Sequence, residues 1–399
     1  MKVCVIGSGG REHALAVSLA RSATVVVSPG NPGIPNSVPS MPDDADLYVV
    51  GPEVPLVEGL ADRLRADGKR VFGPGADGAR LEGSKAWMKE LLENAGVPTA
   101  RYGTFTTEEP ALDFLDRLAP PYVIKTDGLA AGKGVIVTDS LTEARNAVGD
   151  YLSGAAFGDA GRTLVIEEGL VGPELSVFAV CDGTRAFPLA PARDHKRIFD
   201  GDQGPNTGGM GAFSPAGPAG IVDLVMDRFV EPTVAALRAR GIDYRGVLFA
   251  GLMLTADGPK LLEYNVRLGD PECQVVVPRI TSDVAELFAA AADGRLESAP
   301  SCSDDAMVTV VCASEGYPAS PRVGDPIEGI ARAEAIEGVT VYCAGVGGEG
   351  DALTTAGGRV LNVTGRGAGV EEARRRAMAG VACISWPGMQ YRTDIAAHI

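Results

Sequence analysis

Three absences narrow the reading of this sequence before any motif is considered. Excess positive charge is missing: 36 Lys and Arg stand against 52 Asp and Glu, for a formal net charge of -16. Binding of nucleic acid or of an anionic membrane through bulk charge is thereby excluded, and any phosphate site must be built locally. Cysteine pairing is missing too: the seven Cys, at 4, 181, 273, 302, 312, 343 and 383, are odd in number and show no C-x-x-C spacing. Reduced thiols in a cytoplasmic protein fit this better than a disulfide framework. Long apolar runs are the third absence. No stretch approaches a membrane span, and Met1 to Gly7 runs straight into a strand without signal-peptide architecture, so a protein with no membrane partner is expected. What is present is turn-rich globular composition, with 52 Gly, 27 Pro and 45% hydrophobic residues. A chain of 399 residues is long for one core, so roughly two to four domains are expected. No internal repeat or low-complexity tract is evident.

The most informative stretch is Leu262 to Glu272. A strand sends every second side chain to one face, so Glu263, Asn265 and Arg267 share a face while Leu262, Tyr264 and Val266 pack the other. A carboxylate and an amide oxygen are hard ligands suited to Mg²⁺ held between protein and substrate phosphates, and the neighbouring guanidinium can clamp an anion. The plain alternative is the polar face of a half-buried edge strand.

Taken in order, Lys2 to Ile6 reads as a buried strand, Gly7 to His13 as a glycine loop and Ala14 to Leu19 as a helix. A dinucleotide fingerprint fails because its third glycine falls on Glu12. What survives is a helix N-terminus able to hold an anionic group, with Arg11 nearby. His13 reads as structural. Strands are expected at Thr24 to Ser28, Asp46 to Val50 and Arg70 to Phe72, with an amphipathic helix from Leu56 to Asp67. Five prolines, at 29, 32, 35, 39 and 42, forbid a helix in the 29–45 link. Ser84 caps a helix that runs to about Asn94. Tyr122 to Lys125 and Val135 to Val137 form a hairpin whose glycine-rich tip carries Lys133, a flap suited to phosphates. It is not a Walker loop, since Asp127 and Gly134 stand at required positions and a strand follows. A strand at Thr163 to Ile166 breaks and resumes near Glu174, leaving backbone groups free for an adenine edge and Glu174 in reach of a ribose hydroxyl. Asp200 to Gly211 has almost no apolar residue, so its order must come from ligands or polar contacts. His195 reads as a hydrogen-bonding loop residue. A helix over 221–240 and strands at Gly246 to Leu254 follow, then a short helix at Val284 to Ala292. From Ala306 onward short strands are interrupted by one helix, Val370 to Val381. The Thr354 to Arg359 stretch is placed to close over the site.

Jointly, a lysine-bearing flap, a strand break with carboxylates and a late Glu-x-Asn strand describe an ATP pocket between two small sheets. The chain resembles an ATP-grasp ligase. The strings Gly7 to His13, Gly51-Pro52-Glu53, Lys125 to Gly134, Asp194 to Arg197, Gly204 to Gly211, Asn265 to Glu272 and Tyr391 to Ile395 are similar to those of the glycinamide ribonucleotide synthetase family. The resemblance covers essentially the whole chain, and Gly204 to Gly211 is its most specific part.

The fold this resemblance implies mixes α/β and α+β domains. An N-terminal open parallel α/β domain spans 1–86, an ATP-grasp domain 87–295 with a small ATP lid at 121–185, and an α+β cap 300–399. The implied reaction joins glycine to 5-phosphoribosylamine at the expense of ATP, through a glycyl phosphate, as a step of purine biosynthesis. By the same resemblance Glu263 and Asn265 would hold Mg²⁺ or Mn²⁺, and Lys85 and Lys125 would contact phosphate oxygens beneath the flap of Gly132 and Lys133. Glu167, Glu168 and Leu170 would meet adenine, and Glu174 the ribose. Arg267 would stabilise charge on the acyl phosphate, with Asp194 and Asn206 near glycine. Gly9, Gly10, Arg11, Glu12, Glu53, Asp270 and Pro271 would receive the amine substrate. Many ATP-grasp enzymes carry a further acid on the preceding strand, but Val247 to Leu254 offers none. A cytoplasmic monomer is the expectation. Two alternatives stay open: another ATP-grasp carboxylate–amine ligase, or a nucleotide-binding regulator without turnover.

Overall fold

The computed structural model describes residues 1–129, 134–154, 162–350 and 352–397; the expectations for Gly132 and Lys133 lie outside them. Runs of β-branched and apolar residues make β1 (Lys2–Gly7), β2 (Thr24–Pro29), β3 (Leu47–Val50) and β4 (Val71–Phe72), a parallel sheet in the order β2-β1-β3-β4. The helix after β1 starts earlier than its apolar face suggests: α1 spans Gly10–Leu19, so Arg11 and Glu12 sit in its first turn. The proline-rich link forms turns without a helix, as its composition requires, and the Asn31 amide in it donates to Ser8 O at 2.8 Å and Ala344 O at 2.9 Å. The single helix expected at 56–67 is instead α2 (Glu53–Val57) and α3 (Leu60–Ala66). Gly59 between them has φ 77°, a left-handed conformation that ends one helix and starts the next. Then come α4 (Ala76–Gly83) and α5 (Lys85–Ala95), the latter capped by Ser84, whose Oγ accepts from Trp87 N at 3.2 Å.

The part expected to be the lid holds an antiparallel sheet of β5 (Tyr102–Phe105), β6 (Tyr122–Thr126), β7 (Val135–Thr138) and β8 (Leu164–Glu168), ordered β5-β8-β6-β7 and covered by α6 (Glu108–Leu115) and α7 (Leu141–Leu152). Leu115, Ile124, Val148, Leu164 and Ile166 belong to a core of its own, separate from the one shared by the other three parts. A body with a private core can move without breaking a larger one. Its sheet starts before residue 121 and ends at Glu168, where the sequence had suggested a lid over 121–185.

The chain continues as β9 (Glu174–Asp182), β10 (Ala186–Pro188), β11 (Arg193–Asp194), β12 (Arg197–Phe199), β13 (Gln203–Asn206) and β14 (Gly211–Ser214). One helical rod follows: α8 (Ile221–Val225), a π turn over Met226–Val230, and α9 (Glu231–Ala239). After it come β15 (Arg245–Thr255), β16 (Gly258–Asn265), α10 (Cys273–Val276) and α11 (Val284–Ala292). The central antiparallel sheet runs β10-β9-β15-β16, which leaves β16 on its edge beside the lid.

The last part comprises β17 (Ala306–Ala313), α12 (Ile330–Glu334), β18 (Val339–Cys343), β19 (Val346–Glu349), β20 (Ala352–Thr355), β21 (Arg359–Gly367) and α13 (Val370–Val381). The short α12 was not expected. Its main sheet is ordered β11-β14-β17-β21-β18, so two strands that flank the polar loop after β11 are built into the cap. Among the described residues no helix is long and apolar enough to cross a membrane.

Candidate active site

The edge strand β16 presents its donors as its alternation requires. Glu263 is exposed and Asn265 is 7% exposed; Gly251 and Phe249 face them on β15, so no second acid stands opposite. Two hard oxygen donors fit Mg²⁺ or Mn²⁺ where water and phosphate complete the shell. Arg267 does not project freely. Its guanidinium lies 2.7 Å from Glu82 Oε1 and 3.3 Å from Glu53 Oε2, and donates to Asn265 Oδ1 at 3.0 Å. Glu82 also accepts from Val266 N at 2.8 Å. Burial pushes the Glu82 carboxyl up despite Arg267, whereas Glu53, also pushed up by burial, is held below its ordinary value by Arg267 and Arg11. These pairs fasten the first domain to the donor strand and aim one face of the guanidinium at it.

Among the residues expected to meet the nucleotide, Lys85 at the first turn of α5 donates to Gly128 O at 2.9 Å and lies near Glu263. Burial lowers its pKa. The acid that spoils a Walker loop has a structural task. Asp127 accepts from Ala86 N at 3.1 Å and Ser84 Oγ at 3.0 Å, so it caps α5 and ties the end of β6 to that helix. Lys125 sits 3.0 Å from Glu167 Oε1, and Lys89, fully buried, sits 3.1 Å from the same oxygen. Lys89 also donates to Thr99 Oγ1 at 2.6 Å, and burial outweighs its attraction to Glu167, lowering its pKa to about 8. Glu168 accepts from Arg101 N at 3.0 Å and pairs with Lys260 at 3.1 Å. The side chains of Glu167 and Glu168 are therefore occupied within the protein. Leu170 follows in the break before β9.

The glycine loop after β1 is closed by its own helix. Gly9 N donates to Glu12 Oε2 at 2.6 Å, and Arg11 Nε pairs with Glu12 Oε1 at 2.7 Å. Arg11 reaches Leu268 O at 3.1 Å, joining the loop to the stretch after β16. Gly10 lets Asn362 of β21 pack against the backbone, since a Cβ there would lie 2.2 Å from its amide nitrogen. The expected free helix N-terminus is thus partly filled by Glu12. Asp270 Oδ1 accepts from Gln274 Nε2 at 2.8 Å, and Arg359 pairs with Asp270 Oδ2 at 3.3 Å. Burial works against the Asp270 charge, but Arg359 and Arg11 hold its pKa below the usual value. Arg359 also donates to Gly208 O at 2.6 Å and Asp270 O at 2.6 Å, so the cap does close over this point. A Cβ on Gly209 would lie 2.5 Å from Pro271, which sets the polar loop directly against that turn.

The fourth group is Asp194, whose oxygen is 3.0 Å from Lys196; Lys196 also pairs with Glu174. Beside them Glu272, 5% exposed, accepts from Ser176 Oγ at 3.3 Å. Burial, then the nearby Asp194 charge, raises Glu272 to about 7. Asn206 ends β13 and is exposed. His13 and His195 behave as read. His13 Nδ1 accepts from Cys343 N at 2.8 Å, and His195 Nε2 accepts from Ala396 N at 3.5 Å.

Comparison with known proteins decides the family. Phosphoribosylglycinamide synthetase models match in chain order: the N domain over residues 1–82, the ATP-grasp (A) domain over 83–273 and the C domain over 307–398. The chain belongs to the phosphoribosylglycinamide synthetase family. A phosphoribosylamine–glycine ligase of Brucella melitensis is 47% identical over 418 aligned residues, covering 99% of this chain and 97% of its own. That of Streptomyces coelicolor is 47% identical over 422, covering 100% and 99%. The crystal structure of the Thermotoga maritima phosphoribosylamine–glycine ligase superposes with a TM-score of 0.87 at 34% identity, over 99% of this chain and 100% of that one. A Campylobacter jejuni biotin carboxylase, 14% identical, shares the ATP-grasp fold at a TM-score of 0.73 over 98% of this chain and 92% of that one.

Sequence reasoning overlooked Glu82, Lys89, Glu272 and the reach of Arg392. Each acts across a long span of chain; only Glu272, inside the most informative stretch, carried a signal.

Proposed function

We propose that this member of the phosphoribosylglycinamide synthetase family ligates glycine to 5-phosphoribosylamine, consuming ATP and giving glycinamide ribonucleotide, ADP and phosphate, as a step of purine biosynthesis. The observation that carries the reading is the match of all three family domains along one chain. A carboxylate is a poor electrophile with a poor leaving oxygen, and phosphorylation corrects both faults. A glycine carboxylate oxygen attacks the γ-phosphorus and the bond to ADP breaks. The amine nitrogen then attacks the acyl carbon, phosphate departs with that oxygen, and one amine proton is released.

We assign Lys85 and Lys125 to the phosphate oxygens of ATP; Lys125 is oriented by the buried Glu167, 3.0 Å away. The backbone from Glu167 to Leu170 is assigned to adenine. Mg²⁺ or Mn²⁺ on Glu263 and Asn265 would neutralise charge on the triphosphate. Arg267, steadied by Glu53 and Glu82, would stabilise charge on the acyl phosphate. Positioning and charge neutralisation then supply most of the acceleration. Asp194 and Asn206 are assigned to glycine, and the Gly9 to Glu12 loop with Glu53, Asp270 and Pro271 to the amine. Glu174 is paired with Lys196, so its assignment to the ribose requires that pair to open or share. We take the protein to be a monomer, and its seven free cysteines are in keeping with the cytoplasm.

The test is ADP release from MgATP with glycine, with and without phosphoribosylamine formed in place, for the wild type and Glu263→Ala. Release that needs both substrates and is lost in the variant is the expected result. Release with glycine and a different amine overturns the acceptor assignment.

A further inference from the structure

The hairpin β12–β13 has almost nothing apolar to hold it. Residues 203–206 are all exposed, Arg197 and Phe199 are exposed, and Ile198 alone is buried, in a small cluster with Met210 and Ala313. Its turn is conformationally costly as well: Gly201 and Gly204 have φ 68° and 80°, and Asp202, which is not glycine, has φ 53°. Yet this hairpin follows Asp194 and ends on Asn206.

What holds it comes from almost two hundred residues away, in the cap. The side chain of Arg392 is 1% exposed. Its guanidinium donates to Asp202 Oδ1 at 2.6 Å and Arg197 O at 3.1 Å, while Asp394 takes its other face at 2.7 and 2.6 Å. The flanking residues continue the strap. Thr393 N donates to Asp200 Oδ1 at 2.8 Å, its hydroxyl bonds Asp200 Oδ2, and Gly201 N donates to Asp394 Oδ2 at 2.8 Å. Ile395 packs on Gly211, where a Cβ would lie 2.8 Å from it, and Ala396 N reaches His195, the neighbour of Asp194. The strap is itself anchored: Arg374 of α13 donates to Thr393 O at 2.6 Å and Ile395 O at 3.0 Å.

We infer that Arg392 is a positioning residue: the strap 391–396 fixes the hairpin 197–206 through it, and so sets Asp194 and Asn206 for the carboxylate substrate. A planar guanidinium with several fixed donors suits this, because it bonds a carboxylate on each side and a backbone carbonyl at once; an ammonium group offers no such fork. Removing it strands Asp202 and Asp394 beside each other and frees a turn whose own backbone preference is to relax. The consequence falls on glycine far more than on ATP: the ligands assigned to ATP sit on α5, β6, β8, β16 and the break after β8, and only Glu174 of β9, through Lys196, borders the hairpin. This inference rests on the assignment of Asp194 and Asn206 to glycine.

The test compares wild type, Arg392→Ala, Arg392→Lys and Asp202→Asn. Asp202→Asn takes the charge from one of the strap's links to the hairpin and leaves the Arg392–Asp394 pair in the cap, so it remains informative if Arg392→Ala fails to fold. Measured are KM and kcat for glycine and for ATP, the melting temperature, and trypsin cleavage after Lys196 and Arg197. The expected result is a rise in glycine KM of about 10- to 100-fold for Arg392→Ala and about 3- to 10-fold for Asp202→Asn. Lysine at 392 should not restore it. ATP KM should change less than about two-fold, and cleavage in the hairpin should quicken. Unchanged glycine KM with unchanged cleavage in Asp202→Asn, or equal losses for glycine and ATP that follow a lowered melting temperature, overturns the inference while leaving the ligase reading intact. Absence of glycine-dependent turnover in the wild type overturns the ligase reading instead, and cleavage still reports on the strap.

Discussion

Replacing Glu167 with Gln removes the one carboxylate that Lys89 and Lys125 share at 3.1 and 3.0 Å, and the cost can be followed from the burial of Lys89. Its pKa of about 8, against an ordinary 10.5, means that at pH 7.5 the folded state already forgoes about 3 kcal/mol relative to an unfolded chain that holds the proton freely. Without Glu167, burial and the Lys125 charge meet only Glu168 in opposition and Lys89 sheds its proton, which brings that figure to about 4 kcal/mol. Neutralisation therefore caps the further loss from Lys89 near 1 kcal/mol, and the lost charged contact to Lys125 adds about 1–2 kcal/mol. The expected destabilisation is about 2–3 kcal/mol, below the roughly 3–5 kcal/mol of a buried pair that cannot neutralise. Because the depressed lysine lets the unfolded state bind more protons, wild-type stability should rise with pH between about 8 and 10.5, and the variant should begin that rise at lower pH. Urea unfolding at pH 7.5 and 9.5 measures both terms, and ATP KM should increase as Lys125 loses its guide. A variant as stable as wild type at pH 7.5 with the same pH slope would refute the reasoning, since Glu167 would then not be what keeps Lys89 charged.

Two further outcomes follow from single contacts. His13 is buried with Nδ1 accepting from Cys343 N, and burial lowers its pKa from 6.5 to about 4, so it contributes stability above pH 6.5 that is lost as pH falls toward 4. Urea unfolding should show about 2 kcal/mol lost between pH 7.5 and 5, and a smaller loss in His13→Gln; equal losses would contradict this. Asp127→Ala removes the carboxylate that caps α5 and ties the end of β6 to it. It should cost about 1 kcal/mol in unfolding and raise ATP KM, and a change in neither measurement would show the tether to be idle.

Much of the architecture is legible because it is written locally. Valine-rich runs bounded by glycine give the first sheet, Ser84 and Gly96 bound α5, and the Glu-x-Asn alternation puts both donors on one face. The 29–45 link is readable because proline has no amide to donate. Other features are fixed only in three dimensions. Gly59 splits a helix whose apolar spacing looks continuous, because the backbone turn and not the side-chain pattern decides there. Arg267 looks like a free clamp in sequence, yet Glu82 meets it across 185 residues. Lys89 reads as one more polar residue of an amphipathic helix until β8 brings Glu167 over it. The polar loop after Asp194 was rightly expected to need polar contacts, but nothing in its own sequence names Arg392 as their source. Pairings of this kind follow from how the sheets dock, which no local period encodes.

The central claim is that glycine is activated by transfer of a phosphoryl group to its carboxylate. The direct measurement is turnover of glycine labelled with ¹⁸O in both carboxylate oxygens, with MgATP and phosphoribosylamine formed in place, followed by mass analysis of the phosphate. The mechanism predicts one labelled oxygen in each phosphate released and one in the amide product. Phosphate without label would mean that no acyl phosphate forms, and would contradict the account.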